Sequence, residues 1–351
     1  MAGLTTRAST GRHAKPDGPD GAGPIPIRRR RESKAKYGLT DRVFRGVARS
    51  GGGLVLLIMV LVGTFLAYRA AEALRHAGFS FLTTQAWNPD GGGFGIAAVM
   101  VGTILIALVA VVVALPLAMG AALYIVEYAP RRIQRGLISL VDLMAAVPSV
   151  VYGLWGAFFL QWKIISLSKW ISDWFGWIPL FKVDGARRGD PLATATVYTS
   201  STFIAGIVVA MMVAPIACSI MREAFGQAPP GEREGAFALG ATRWGMIRSV
   251  VLPFGRGAIV GGTMLGLGRA LGETIAVVMI ISPVFRIQPH ILQNGTSSIA
   301  SLIALRVGEA SPFAISALMA AGLALFALTL LVNFAAASVV ARSRSGAVSD
   351  G

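Results

Sequence analysis

The stretch "GRALGETIAVVMI" at positions 268–280 sets an arginine and a glutamate four residues apart among apolar side chains. Between Gly257 and Ile281 those two, Arg269 and Glu273, are the only charges. A charge at the centre of a bilayer costs at least ~2.5–3.5 kcal/mol on insertion scales, and such residues usually serve a pathway or a partner. At roughly 3.6 residues per turn the pair would share one helix face, about 100° from a stripe made by Gly257, Gly261, Gly268 and Gly272. Small-residue stripes let membrane helices approach closely, which leaves the charged face for something else. Two readings are open. One is an ion pair that locks helices together, although buried pairs often fail to offset their own desolvation. The other is a counter-charge that lowers the barrier for an anion. Arginine suits that task, being always charged and carrying a fork of donors that matches oxyanions. Glu273 would then hold Arg269 between passages. Thr274, Ser149 and Tyr152 are further polar candidates, with helix–helix hydrogen bonding as their alternative. Asp142 falls near one end of an apolar run, where a structural or interfacial role is the alternative to a pathway one.

The elements that must position these groups are membrane spans. Of 351 residues, 54% are hydrophobic and only 14% charged, well below the ~25% of soluble domains. Six apolar runs, at about 51–71, 96–126, 136–162, 201–221, 257–282 and 313–340, each meet or approach the ~17–25 residues a crossing requires. The net charge of +15 is unevenly placed, with twelve of the 32 Lys and Arg residues lying in positions 1–50. With the N-terminus inside, the cytoplasmic segments hold 22 basic residues against nine outside, the bias expected for six spans with both ends cytoplasmic. That placement argues against nucleic acid as a partner and for membrane lipid. Positions 1–50 read as a basic, largely disordered cytoplasmic tail, 51–341 as the six-span domain and 342–351 as a second short tail. The outer loop 163–200 carries "WISDWFGWIP", which suits either a membrane-interface segment or a short packed helix. No internal repeat stands out, which weakens the case for a transporter built from inverted repeats. Cys218 has no partner cysteine and reads as packing. The three histidines show no metal-ligand spacing, and no Gly-rich loop ends in Lys-Ser/Thr as a nucleotide loop would.

The loop 222–256 is patterned. "APPG" at 228–231 breaks the chain, since proline starts a helix but does not continue one. A short amphipathic helix is expected from Glu232, with Ala236, Leu239 and Trp244 among its apolar positions, and Pro253 is expected to end the segment before span five. An exposed, partly apolar helix of this kind should be covered, either by a partner subunit or by the membrane surface. "EGAFALG", nine residues, then "VVLP" resembles the EAA signature of permease subunits in ATP-binding-cassette importers. Glu234, Ala236, Gly240, Leu252 and Pro253 stand at matching spacing; Gly235 and Val250 depart from it by small apolar swaps. "GRALGETIAVV" and "VPSVVYGLWG" at 147–156 resemble the phosphate-specific, PstC/PstA-type branch, and the C-terminal run leans toward its PstC-like member. The resemblance implies an all-α, six-helix type I importer permease in a bacterial cytoplasmic membrane. It implies that the 222–256 loop docks on a cytoplasmic ATPase, with Gly240 at a bend. The implied partners are a PstA-like second permease, a PstB-like ATPase dimer carrying the ATP and Mg, and an extracytoplasmic PstS-like phosphate-binding protein. This chain would then hold no cofactor and catalyse no covalent reaction. Phosphate fits the pair as well, because a protonated phosphate can donate to Glu273 while sulfate cannot. A sulfate or molybdate permease, or an ion-coupled secondary transporter using Glu273, are the alternatives.

Overall fold

The computed structural model describes residues 39–184 and 195–344. Most of both expected tails therefore lies outside the described residues. Six helical stretches are long and apolar enough to cross a membrane: Val43–Ala77, Ala97–Tyr128, Ser149–Phe175, Thr202–Gly226, Arg243–Gly272 and Pro312–Ala335.

Helix α1 (Leu39–Ala77) begins ahead of the expected apolar run. Up to Leu57 it belongs to a separate unit, in which Val43, Phe44, Val47 and Leu54 are exposed. Within the larger unit, Ala70 and Ala73 are buried. There the Ala73 N–H donates to Ser316 Oγ at 3.2 Å, and the Ser316 hydroxyl donates to the Arg69 carbonyl at 2.8 Å. A short helix α2 (Ser80–Thr83) and a hairpin of β1 (Trp87–Asn88) with β2 (Gly93–Phe94) lead into α3 (Ala97–Leu123). That helix runs on through a wide π turn at Tyr124–Tyr128.

The centre of the bundle is α3 against α7 (Thr202–Gly226). Alanines 107, 110, 114, 118 and 122 are buried along α3, one per turn. Small side chains at that period allow the close backbone approach on which membrane helices depend. At Gly206 a Cβ would come within 2.4 Å of Val109 Cγ1, so no larger residue fits there.

The third span differs from the expected 136–162. Residues Arg131–Ala146 form a separate helix, α4, and the span itself is Ser149–Phe175. Pro148 is the reason. A proline disfavours helical backbone in the residue before it, and Val147 is extended at φ −65°, ψ 129°. The span comprises α5 (Ser149–Trp155), a π turn and α6 (Gln161–Phe175). Lys163, Lys169 and Asp173, assigned to the outer loop, thus lie on the helix, as does the start of the tryptophan segment. Asp142 lies on α4 outside any span, accepting from the Ser219 hydroxyl at 3.2 Å and 4.0 Å from Arg222 Nη2.

Beyond α7 come α8 (Pro230–Ala238), α9 (Arg243–Met246), a π turn at Ile247–Val251 and α10 (Leu252–Gly272). The fifth span starts at Arg243, so Pro253 does not end the preceding segment. The π turn accommodates it: the Leu252 N–H reaches back to the Ile247 carbonyl, and the donor lost at the next residue falls where the helical register has already shifted. The chain closes with α11 (Ile275–Ile280), α12 (Ile299–Arg306) and α13 (Pro312–Arg344). At the far end from α8, the loops flanking α7 and α12 are laced together, Ile291 N–H to Leu180 O at 3.0 Å and Asn294 N–H to Val197 O at 2.8 Å.

Candidate functional site

The continuous helix expected through Arg269 and Glu273 is broken between them. Helix α10 stops at Gly272, Glu273 is extended at φ −67°, ψ 123°, and helix resumes at Ile275. Glu273 is therefore no i,i+4 partner of Arg269, and among the described residues no ion pair joins the two. The glutamate is 8% exposed, and its Oε1 accepts from the Ala276 N–H at 3.4 Å. It serves one of the unpaired amides at the start of the new helix. Thr274 does local work too, donating to the Gly272 carbonyl at 3.1 Å. Ser149 comes to the same level by packing. Gly153 of α5 and Gly156, which opens the π turn, meet Ala276 and Ile280, each at 2.9 Å for an added Cβ. The two stretches thus run parallel, and Ser149 precedes Gly153 by one turn, in the direction of the break. The Tyr152 hydroxyl donates to the Met144 carbonyl across Pro148 at 3.0 Å, a hydrogen bond from α5 to α4.

Arg269 is exposed, and among the described residues no hydrogen bond or ion pair holds its guanidinium. It shares a face of α10 with exposed Phe254, Gly261, Leu265 and Gly272. The packed glycine stripe is a different one from that expected. An added Cβ would meet Phe225 at 2.4 Å from Gly255, Met221 at 3.3 Å from Gly262 and Val213 at 2.6 Å from Gly266, whereas Gly261 and Gly272 face open space. Gly268 lies against Asn333 at 3.8 Å.

The second site is the elbow of α8 and α9. Helix α8 ends in a Schellman motif, Ala241 N–H to Ala236 O at 3.0 Å and Gly240 N–H to Phe237 O at 2.9 Å. That motif requires left-handed backbone, which glycine adopts without penalty, and Gly240 has φ +82°. Thr242 then caps α9, accepting from the Gly245 N–H at 3.1 Å. Glu234 and Gly240 are exposed, Ala236 and Leu252 half-buried, and Pro253 exposed at the start of α10. Leu239, 92% exposed, and Trp244, 57% exposed, form an uncovered apolar tip.

Three charged residues here escaped the sequence reading. Glu127, at the end of the second span, lies 2.9 Å from Arg233 Nη1 with its side chain only 6% exposed. Arg243 Nη1 donates to the Glu127 carbonyl at 2.9 Å and stacks 5.4 Å from the Tyr128 ring. The available signal was one acid, in "YIVEYAPRR", at the edge of a basic segment. Among the described residues no three His, Cys, Asp or Glu side chains gather as metal ligands would.

Residues 114–345 match the family model described as "Binding-protein-dependent transport system inner membrane component". The "Phosphate transport system permease protein PstC 2" of Mycobacterium tuberculosis is 40% identical over 311 residues, covering 87% of this chain and 93% of that one. The PstC protein of Xylella fastidiosa (strain 9a5c) is 37% identical over 293 residues, covering 83% and 88%. A chain of a bacterial alginate ABC transporter, solved with its alginate-bound periplasmic protein, superposes with a TM-score of 0.53 at 16% identity, covering 84% of this chain and 93% of that one. At that identity the likeness is one of fold.

Proposed function

We propose, from the premise that this chain belongs to the family of binding-protein-dependent transport system inner membrane components, that it is the PstC-like permease of an ATP-driven importer of inorganic phosphate. Its six apolar helices make it a multi-pass protein of the cytoplasmic membrane. It is a transport subunit and no enzyme; ATP and Mg belong to a separate ATPase. Six spans supply half of a pathway, completed by a PstA-like permease. The elbow of α8 and α9 is the cytoplasmic docking point for a PstB-like ATPase dimer, and a PstS-like protein delivers phosphate from the opposite side. Both termini are then cytoplasmic.

The observation that carries the anion's route is Arg269, an exposed charge unpaired among the described residues and thirteen residues beyond Arg256, the nearest other charge on α10. Lipid is a costly environment for it, so its face of α10 is covered by water, by the second permease or by the anion. Its fork of donors can replace part of a phosphate's hydration. Glu273 keeps the adjacent backbone open by capping α11. A broken spanning helix places free peptide groups at membrane depth, where they are tolerated if they line a cavity. ATP binding closes the ATPase dimer, the elbows move, and the pathway opens alternately to either side.

The test is uptake of labelled phosphate by the reconstituted complex. Uptake is expected to require ATP and the binding protein, and to resist competition by sulfate and molybdate. Proton-driven uptake by this chain alone would contradict the reading.

A further inference from the structure

Glu127, at the elbow end of the bundle, is engaged from two directions. Its carboxylate pairs with Arg233 of α8, and its backbone carbonyl accepts from Arg243 of α9. Arg233 also donates through Nη2 to the carbonyl of Phe225, near the end of α7. Gln134 of α4 donates to the Ile125 carbonyl at 3.1 Å. The last carbonyls of a helix have no partners inside it, and cations are favourable at that end. The elbow therefore sits on the C-terminal ends of the second and fourth spans, and its arginines cap both.

Stability alone gives a weak reason for such a network. A buried ion pair is often replaceable by apolar groups at no loss, while removing one partner strands a charge. What the forked guanidinium adds is direction, because a hydrogen bond to one element and an ion pair to another fix an orientation as well as a distance. We infer that Glu127, with Arg233 and Arg243, forms a clasp that makes the α8–α9 elbow a rigid extension of spans two and four. Movement imposed on the elbow is thereby passed to the central α3–α7 pair instead of being lost in the loop. These are positioning residues: none touches the anion or the nucleotide. The inference rests on the importer reading above.

The experiment is a double-mutant cycle in the full reconstituted complex, using Glu127→Gln, Arg233→Gln and both together. The readout is phosphate taken up per ATP hydrolysed, beside binding-protein-stimulated hydrolysis and co-purification of the ATPase. Each single variant is expected to keep the ATPase bound and hydrolysing while phosphate per ATP falls about fivefold, and the double to be no worse than either, as for residues acting through each other. A wild-type ratio in the single variants overturns the inference, as do losses that multiply in the double. So does failure of the ATPase to co-purify with the single variants, which would make the clasp a builder of the docking surface rather than a transmitter. A wild-type complex without ATP-driven phosphate uptake would instead sink the importer reading; stimulated hydrolysis would still report on the clasp.

Discussion

Arginines occur in two conditions in this molecule. Arg233 and Arg243 at the elbow are each tied to two groups, carboxylate and carbonyl for one, carbonyl and aromatic ring for the other. Arg269, one turn before the break that ends span five, is held by nothing among the described residues. The difference separates two uses of one side chain. A guanidinium whose donors are occupied fixes geometry, while one whose donors are free is available to a ligand. The glycines divide in the same way. Gly255, Gly262 and Gly266 are filled tightly by α7, whereas Gly261 and Gly272 lie open on the face of Arg269.

Removing the free charge should have the largest effect. Arg269→Gln is expected to lower ATP-driven phosphate uptake roughly 10–100-fold, the scale of a lost charge-assisted hydrogen bond at ~1.5–3 kcal/mol, with subunit assembly unchanged. Next comes the elbow's backbone. Gly240→Val forces a branched residue into left-handed backbone at a cost of ~1–2 kcal/mol, so ATPase affinity measured by titration should weaken about 5–30-fold. Thr242→Ala removes only the cap of α9, worth ~1 kcal/mol, and should weaken the same affinity no more than about fivefold. Ser149→Ala and Thr274→Val should change uptake about twofold or less, because polar contacts between membrane helices average ~0.6 kcal/mol. A large loss in either of the last two would blur the contrast between free and occupied groups.

How much of this was legible in the sequence depended on the range over which each feature is decided. The number of spans follows from length and apolar composition and could be read. Of the elbow, the start at the prolines and the bend at Gly240 were legible. The single helix expected to carry Leu239 and Trp244 is two, because α8 ends at Ala238 and Trp244 lies in α9. Pro148 was legible but its apolar surroundings masked it; the same letters read as one run become α4 and α5 once the proline's effect on Val147 is applied. The break at Glu273 left no mark in hydropathy, since residues on both sides are apolar. It depends on a side chain turning back to cap α11 and on Gly153 admitting that helix against α5. The glycine stripe failed for a similar reason. Several glycine faces exist on α10, and Phe225, Met221 and Val213, distant in sequence, determine which one packs. Glu127 and Arg233 lie on different elements, and nothing local couples them.

The placement of Arg269 on a water-filled route can be tested directly by thiol accessibility. Arg269→Cys in a Cys218→Ser background, assembled with its partner subunits, would be exposed to a small anionic, membrane-impermeant thiol reagent with and without ATP. Reaction at position 269 is expected, at a rate that changes between nucleotide states and falls when phosphate is present. Labelling by a lipid-soluble reagent alone, indifferent to ATP and to phosphate, would place Arg269 on a buried or lipid-facing surface and contradict its role on the anion's path.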